Sequence, residues 1–227
     1  MSNFKKTILK YFPVHFFKSY RSYSQEGEDM VLKSFFEARK NYKGFFVDVG
    51  AHHPIRFSNT AYFYKHGWNG INIEPTPGAV RIFKFLRRRD INLNIGVSNK
   101  IGKLNFYCFN EPALNGFSKE ISETRDKTSA RYYITKEIEI ETYPLSYIFD
   151  KYLPEGKKID FISIDVEGLD LMVLQSNNWE KYNPEYILVE DAINMKRLQE
   201  SEVFSYLETK GYDLVSKTLR TLFFKKN

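Results

Sequence analysis

The sequence predicts an α/β fold: a Rossmann-like, doubly wound, mostly parallel sheet with an antiparallel edge. Short runs rich in apolar residues, such as FFVDV (45–49) and YILVED (186–191), alternate with segments of helical periodicity. Parallel strands that helices cover on both faces give this pattern. The last two runs, YDLVSK and TLFFKK, are joined by a short turn, which favours an antiparallel pair at one edge.

The elements can be placed in order along the chain. A capping-box pattern at Ser22 and Gln25 precedes apolar residues with helical spacing in SYSQEGEDMVLKSFFEARK. Strands are then predicted over 45–49, 70–75, 91–98, 103–109, 137–142, 159–168 and 186–191. Helices are predicted over 77–89, 144–152, 169–176 and about 200–210, and the two edge strands follow.

The chain of 227 residues is long enough for one sizeable core, so we expect a single domain over residues 23–227. Residues 110–136 are too many for an ordinary connection and form a candidate lid or substrate loop, with disorder as the alternative. Residues 1–22 are a basic, aromatic N-terminal arm. This arm is either an amphipathic segment for an anionic membrane surface or a short helix folded back on the body.

The positive charge is concentrated in that arm. The net charge is +6, but residues 1–23 hold five basic residues and no acid, which leaves +1 for the rest. A protein that binds nucleic acid spreads basic residues over its folded body, so no nucleic acid partner is expected.

A cytoplasmic location is expected from three features. The single cysteine, Cys108, allows no intramolecular disulfide. Lys10 and Pro13 interrupt the apolar stretch that a signal peptide needs. No run approaches the ~20 apolar residues of a membrane span.

Ligands of a doubly wound sheet bind beyond the carboxyl ends of its strands. The residues at these ends of the five predicted core strands are mostly polar or acidic: Asp48, Gly50, His52, His53, Glu74, Asn94, Asp165, Glu167, Glu190 and Asp191. Glu74 lies 24 positions after Gly50, near the offset at which an acid accepts hydrogen bonds from a ribose diol. Because G-x-G-x-x-G and G-x-x-x-x-G-K-[ST] are both missing, the site suits a nucleoside without phosphates, such as S-adenosylmethionine.

Six motifs resemble the FkbM family of S-adenosylmethionine-dependent methyltransferases: SYSQEGEDMVL, FFVDVGAHHP, GINIEP, NIGVSN, IDFISIDVEGLDLMVL and YILVED. The resemblance covers about residues 23–191 and implies the class I methyltransferase type of this fold. It implies O-methylation, often of sugar hydroxyls, and a donor held by the region of Gln25 and Glu28, Asp48, Gly50, Glu74 and the strand end at Asp165. Asn94, at the end of the third strand, is a further candidate donor contact. His52 stands where the family usually has asparagine, which indicates a subgroup with its own substrate.

The catalytic chemistry has two open interpretations, with His53, Asp165 and Glu190 as the candidate catalytic residues. Methyl transfer to an alcohol needs a base for the hydroxyl proton, and His53 or its neighbour His52 is suitable. Alternatively, Asp165, Glu190, Asp191 and His53 hold Mg²⁺ or Mn²⁺, by similarity to catechol-type O-methyltransferases, and the ion lowers the pKa of a bound hydroxyl. In the competing interpretation without a metal ion, Glu190 caps a loop and Asp165 binds the amino acid part of the donor.

The sequence thus predicts an S-adenosylmethionine-dependent O-methyltransferase that acts on a sugar or sugar nucleotide in surface polysaccharide biosynthesis. A NAD-dependent oxidoreductase and a non-catalytic nucleoside-binding module are the alternatives. The missing second and third glycines of the dinucleotide fingerprint argue against the oxidoreductase.

Overall fold

The computed structural model describes residues 19–227. Most of the predicted N-terminal arm therefore lies outside the described residues. The helices are α1 (Glu28–Phe36), α2 (Ala61–Lys65), α3 (Ala79–Leu86), α4 (Lys119–Thr128), α5 (Leu145–Tyr152), α6 (Asp170–Gln175) and α7 (Glu202–Thr209). The strands are β1 (Phe45–Val49), β2 (Asn69–Ile73), β3 (Ile91–Leu93), β4 (Gly96–Val97), β5 (Gly102–Phe109), β6 (Ile134–Tyr143), β7 (Phe161–Ile164), β8 (Tyr186–Glu190), β9 (Tyr212–Lys217) and β10 (Thr221–Lys226). Short 3₁₀ helices lie at Pro112–Leu114 and Met195–Glu200.

The central sheet has seven strands in the order β3-β2-β1-β7-β8-β10-β9. The first five are parallel, and β10 is antiparallel to both of its neighbours. This is the predicted class I methyltransferase type of α/β fold, with its antiparallel edge. Strand order reverses between β1 and β7, and in such sheets that point is where ligands bind.

Both faces of the central sheet are buried, which explains its apolar strands. In β1, Phe45 and Val47 belong to one core cluster, whereas Phe46 belongs to a second cluster on the opposite face. Successive side chains of a strand point to opposite faces, so one strand supplies both cores. On the second face the rings of Phe46 and Phe161 stack, with 5.8 Å between their centroids.

A buried polar network ties the loop after β1 to the sheet. The Arg87 guanidinium pairs with Asp90 at 2.8 Å and donates to the Pro54 carbonyl and to Thr60 Oγ1. Thr60 in turn donates to Asp48 Oδ2 at 2.7 Å. The network fixes the loop that carries the two histidines, because a buried cation and its partners need each other's charge and hydrogen bonds.

A second, smaller sheet has the order β4-β6-β5, and it corrects the prediction of one strand over residues 91–98. Residues 91–93 pair with β2 in the central sheet, whereas Gly96 pairs with Thr142 in β6. A Cβ atom at Gly96 would lie 2.4 Å from the Phe117 ring, so a larger residue here would have to displace that ring. The chain therefore passes from the central sheet to the small sheet between residues 93 and 96, although the apolar sequence pattern continues across both strands.

The capping-box prediction is also wrong in position. Helix α1 begins at Glu28, and its N-cap is Gly27 in a left-handed conformation. The Ser22 hydroxyl instead donates to Asp29 Oδ1 at 2.7 Å, which holds the preceding turn against the helix. Gln25 is consequently outside the helix and free to contact other parts of the chain.

Residues 110–136 are folded rather than irregular. They contain a 3₁₀ helix, then α4 with Ser118 as its N-cap, and then the start of β6. Arg125 on α4 forms an ion pair of 3.0 Å with Glu167, which follows β7. The segment thus packs against the carboxyl ends of the central strands. No helix within residues 19–227 is long and apolar enough to cross a membrane.

Candidate functional site

A cavity of about 430 Å³ lies at the carboxyl ends of the central strands. The strand ends supply Gly50, Glu74, Asp165 and Glu190 to its lining. Residues 111–117 line it from the other side and make the predicted substrate segment its second wall. The volume is in the range of sites for small molecules.

Gly50 forms the contact between two strand ends beneath the cavity. Its φ of +77° is unfavourable for other residues, and a Cβ atom here would lie 1.8 Å from the Asp165 carbonyl oxygen. The Gly50 and Ala51 N–H groups both donate to the Ile73 carbonyl. Only glycine allows β1 and β7 to approach this closely.

Glu74 is a buried acid with both carboxylate oxygens positioned by backbone N–H groups. His52 N–H donates to one oxygen and Thr76 N–H to the other, each at 2.7 Å. Burial raises the pKa of Glu74, while these N–H groups oppose the rise. Asn94 does not line the cavity; its amide donates to the carbonyls of Glu74, Pro75 and Thr76 and so shapes the loop around Glu74.

Asp165 and Glu190 form a carboxyl pair at the adjacent ends of β7 and β8. The Asp165 side chain is open to the cavity, yet protein atoms surround it on the other sides. Burial, and then the neighbouring charge of Glu190, raise the pKa of Asp165 well above its usual range. Protonated Asp165 can also donate a hydrogen bond to Glu190, so in the unliganded site Asp165 keeps its proton to a higher pH than an exposed carboxyl group.

The turn after Asp165 is itself held by an acid. Asp170 accepts the N–H groups of Val166 and Gly168 at 3.2 and 3.1 Å. Burial raises the pKa of Asp170 to about 7. Glu167, within this turn, is fixed by its ion pair with Arg125, and its pKa is raised by burial.

Backbone strain is concentrated at the cavity. Four non-glycine residues among residues 19–227 have a positive φ, and three of them line the cavity: His52, Phe57 and Glu167, at φ 50°, 54° and 55°. Histidine, phenylalanine and glutamate seldom adopt this conformation, and such outliers cluster at functional sites. The strain therefore agrees with the location of the cavity.

The predicted site residues divide into two groups. The cavity brings together Gln25, Gly50, His52, Glu74, Asp165, Glu167 and Glu190. Glu28, Asp48, Asn94, His53 and Asp191 do not line it.

Two acids of the second group have structural partners. Glu28 is buried and accepts the Glu26 N–H, so it holds the turn that carries Gln25. Asp48 is buried and accepts the Thr60 hydroxyl, and burial raises its pKa to about 6. Each acid thus has a partner within the protein, and neither lines the cavity.

The two histidines have different surroundings. His53 Nδ1 accepts the N–H groups of Ile55 and Arg56 at 3.1 and 3.0 Å, so its ring closes a turn. His52, in contrast, lines the cavity. Burial and the nearby Arg56 guanidinium lower the pKa of His52 to about 4, so the ring is neutral at physiological pH.

We expect His53→Ala to keep most of the turnover, because the ring serves the backbone of its own turn. A catalytic base would lose about 10²–10⁴-fold in rate when removed. The loss should appear in stability instead, at about 1 kcal/mol for N–H groups left without an acceptor. Initial rates and thermal unfolding of the variant measure both effects. A rate lowered by about 100-fold or more in a fully folded variant would assign the base to His53.

The proposed metal ligands are not assembled. Among residues 19–227, no group of three or more His, Cys, Asp or Glu side chains is placed to hold a metal ion. Asp191 is turned to the loop before α7, where it accepts the Ile193 N–H and the Ser201 hydroxyl. Asp165 and Glu190 alone supply too few oxygen ligands for Mg²⁺ or Mn²⁺. The described residues therefore do not fit the metal interpretation.

Sequence reasoning missed the far wall of the cavity. Arg56 donates to both carboxylate oxygens of Glu111, at 2.9 and 3.2 Å, and its guanidinium lies 4.4 Å from the Phe57 ring centroid. Arg131 and Arg220 also line the cavity. The unusual length of the 110–136 segment pointed to this region but not to individual side chains.

Comparison with known proteins supports the resemblance seen in the sequence. The model of the Methyltransferase FkbM domain matches residues 48–214, which confirms that resemblance. No curated protein matches the chain significantly.

Three solved structures are similar in fold. Methyltransferase FkbM from Methylobacillus flagellatus is 14% identical, with a TM-score of 0.47; the match covers 80% of this chain but only 43% of that one. A putative O-methyltransferase from Klebsiella pneumoniae is 9% identical, with a TM-score of 0.47 and coverage of 98% and 96%. An O-methyltransferase from Bacillus cereus in complex with SAH is 8% identical, with a TM-score of 0.41 and coverage of 100% and 92%.

Proposed function

Because the chain belongs to the FkbM methyltransferase family, we propose that it transfers a methyl group from S-adenosylmethionine to a hydroxyl group of a small molecule. The observation that carries the proposal is the cavity in which Gly50, Glu74 and Asp165 meet at the strand-order reversal. A cytoplasmic location, as expected from the sequence, is part of the proposal.

The donor is held by its nucleoside and by its amino acid. Glu74, fixed by two backbone N–H groups, has lone pairs left for the ribose hydroxyls. Ile95 and Val97 supply apolar surface beside Glu74 for the adenine ring. The acid pair and Gln25 lie near the positive ammonium and sulfonium groups, which they stabilise electrostatically.

The Asp165–Glu190 pair takes the proton of the acceptor hydroxyl. The hydroxyl oxygen attacks the methyl carbon, the bond from that carbon to sulfur breaks, and its electrons convert the sulfonium to the neutral thioether of S-adenosylhomocysteine. The proton passes to the carboxyl pair. A raised pKa makes Asp165 a stronger base than an exposed aspartate, and the positive charge of the bound donor favours loss of the Asp165 proton before transfer.

The acceptor is a sugar or a sugar nucleotide of surface polysaccharide synthesis. Phe57 is 43% exposed beside the cavity and offers an aromatic face to a sugar ring. The Arg56–Glu111 pair supplies donors and acceptors for hydroxyl groups. The neutral His52 ring accepts or donates one further hydrogen bond.

Calorimetry with S-adenosylhomocysteine and with NAD(H) tests the donor. Binding of S-adenosylhomocysteine supports the proposal, whereas binding of NAD(H) favours an oxidoreductase, and neither favours a non-catalytic module. Incubation with S-adenosylmethionine and a panel of sugar nucleotides then tests the acceptor through the mass gain of one methyl group. Donor binding without any methylated sugar would contradict the proposed acceptor but not the proposed donor.

A further inference from the structure

Helix α3 presents two apolar faces, of which only one is buried. Val80 and Phe83 pack into the protein. Ile82, Phe85 and Leu86 are 45%, 67% and 39% exposed. At about 3.6 residues per turn, these three side chains share one stripe on the side opposite Val80 and Phe83. A helix that serves only the core would carry polar residues there.

Basic residues border the exposed stripe. Arg81 and Lys84 are exposed on one flank of the helix, Arg88 is exposed just after the helix ends, and residues 75–89 contain no acid. Among the residues that the structure describes, Arg87 is the basic residue of this segment that forms an ion pair; its partner is Asp90, and both are buried. The Arg88 guanidinium lies 5.4 Å from the Phe85 ring centroid, so charge and apolar surface are adjacent.

We propose that α3 docks the protein on an anionic membrane surface. Exposed apolar side chains flanked by cations are the features with which a helix lies in a membrane interface. The apolar stripe enters the boundary between headgroups and acyl chains, and the cations pair with lipid phosphates. This surface is formed by other residues than the N-terminal arm, residues 1–22, for which membrane contact is one of the two interpretations of the sequence.

Charge distinguishes a membrane from a second copy of the chain. A two-fold dimer through this face would bring the cations of both copies into one interface, with no acid in residues 75–89 to balance them. An anionic bilayer has the opposite charge and the apolar layer that the stripe needs. The loop from Glu74 to Thr76, which lines the cavity, leads directly into α3, so docking brings the cavity close to the lipid surface.

Vesicle binding of the full-length protein tests the proposal. Sedimentation with phosphatidylcholine vesicles, with and without phosphatidylglycerol, is compared for the wild type, Phe85→Ser and Arg81→Glu/Arg88→Glu. We expect binding to the anionic vesicles alone and a decrease of at least about tenfold in the partition coefficient of either variant. Both variants change exposed side chains, and thermal unfolding checks that they fold.

Matched control variants distinguish binding through α3 from nonspecific binding by any exposed apolar or basic residue. Val215→Ser/Leu219→Ser removes exposed apolar groups at the opposite edge of the sheet, and Lys157→Glu/Lys158→Glu reverses two exposed charges elsewhere. Both control variants should bind vesicles like the wild type. Equal losses in the control and α3 variants, wild-type binding by the α3 variants, or no vesicle binding at all would each overturn the proposal. So would an oligomer that dissociates in Phe85→Ser.

Discussion

Glu190→Gln is expected to lower turnover by about 10²–10⁴-fold, whereas S-adenosylhomocysteine binding should weaken by no more than about tenfold, through the loss of one charge near the donor ammonium. Glutamine keeps the size of the side chain but accepts no proton from the acceptor, and it removes the charge that helps to raise the pKa of Asp165. The remaining Asp165 carboxyl is then a weaker base. Steady-state kinetics and calorimetry on the same preparation measure the two effects separately.

The same variant should be at least as stable as the wild type. The pKa of Asp165 is raised in the folded protein, so its contribution to stability is present below the unfolded-state pKa. That contribution is lost as pH rises through the folded-state pKa. Removing the Glu190 charge relieves the repulsion that grows at high pH. An inactive variant that is also destabilised at high pH would indicate a structural role instead.

The pH profile gives a further check on the carboxyl pair. Transfer needs the ionised base, so the wild-type rate should rise with pH through an apparent pKa that belongs to the pair. This pKa should lie above the usual carboxyl range, because burial and the Glu190 charge raise the pKa of Asp165. Glu180→Gln, at an exposed site away from the cavity, is the control and should leave the profile unchanged.

Glu74→Gln is expected to weaken donor binding by about 1.5–3 kcal/mol, which is roughly 10- to 150-fold in Kd. Both oxygens of Glu74 accept backbone N–H groups, so the amide nitrogen of glutamine must face either His52 N–H or Thr76 N–H. Two donors then oppose each other, and the charge that strengthens the bonds to the ribose hydroxyls is lost. Calorimetric titration with S-adenosylhomocysteine measures the change.

Glu111→Gln is the matched control for this change. Glu111 also lines the cavity, but it faces Arg56 on the opposite wall. Its substitution should affect the acceptor and leave donor affinity close to that of the wild type. Unaltered donor affinity in a folded Glu74→Gln variant, or equal losses in the two variants, would contradict the ribose assignment.

The fold could be predicted from the sequence because burial on both faces of the sheet leaves a local signal. The run from Phe45 to Val49 matches β1 residue for residue. The prediction was wrong over residues 91–98, where both halves are apolar but belong to different sheets. The contact that separates them, between Gly96 and Phe117, joins residues far apart in the chain and leaves no periodic pattern.

The candidate site was predictable only where topology alone places a residue. Glu74 and Asp165 directly follow parallel strands, and such ends meet at one edge of the sheet. The choice between His52 and His53 depends on the backbone after Gly50, where His52, with its positive φ, lines the cavity and His53 does not. The partnership of Arg56 with Glu111 spans 55 positions and needs the folded structure.

The close approach of Gly50 to the Asp165 carbonyl has a kinetic consequence. The two strand ends lie so close together that not even a Cβ atom fits between them, so no ligand enters the cavity through its floor. Exchange of S-adenosylhomocysteine for fresh donor must then use the wall formed by residues 111–117, which is fastened by the part-buried ion pair of Arg125 with Glu167. Product release should therefore accelerate with ionic strength, because salt weakens that fastening but leaves the packed floor untouched.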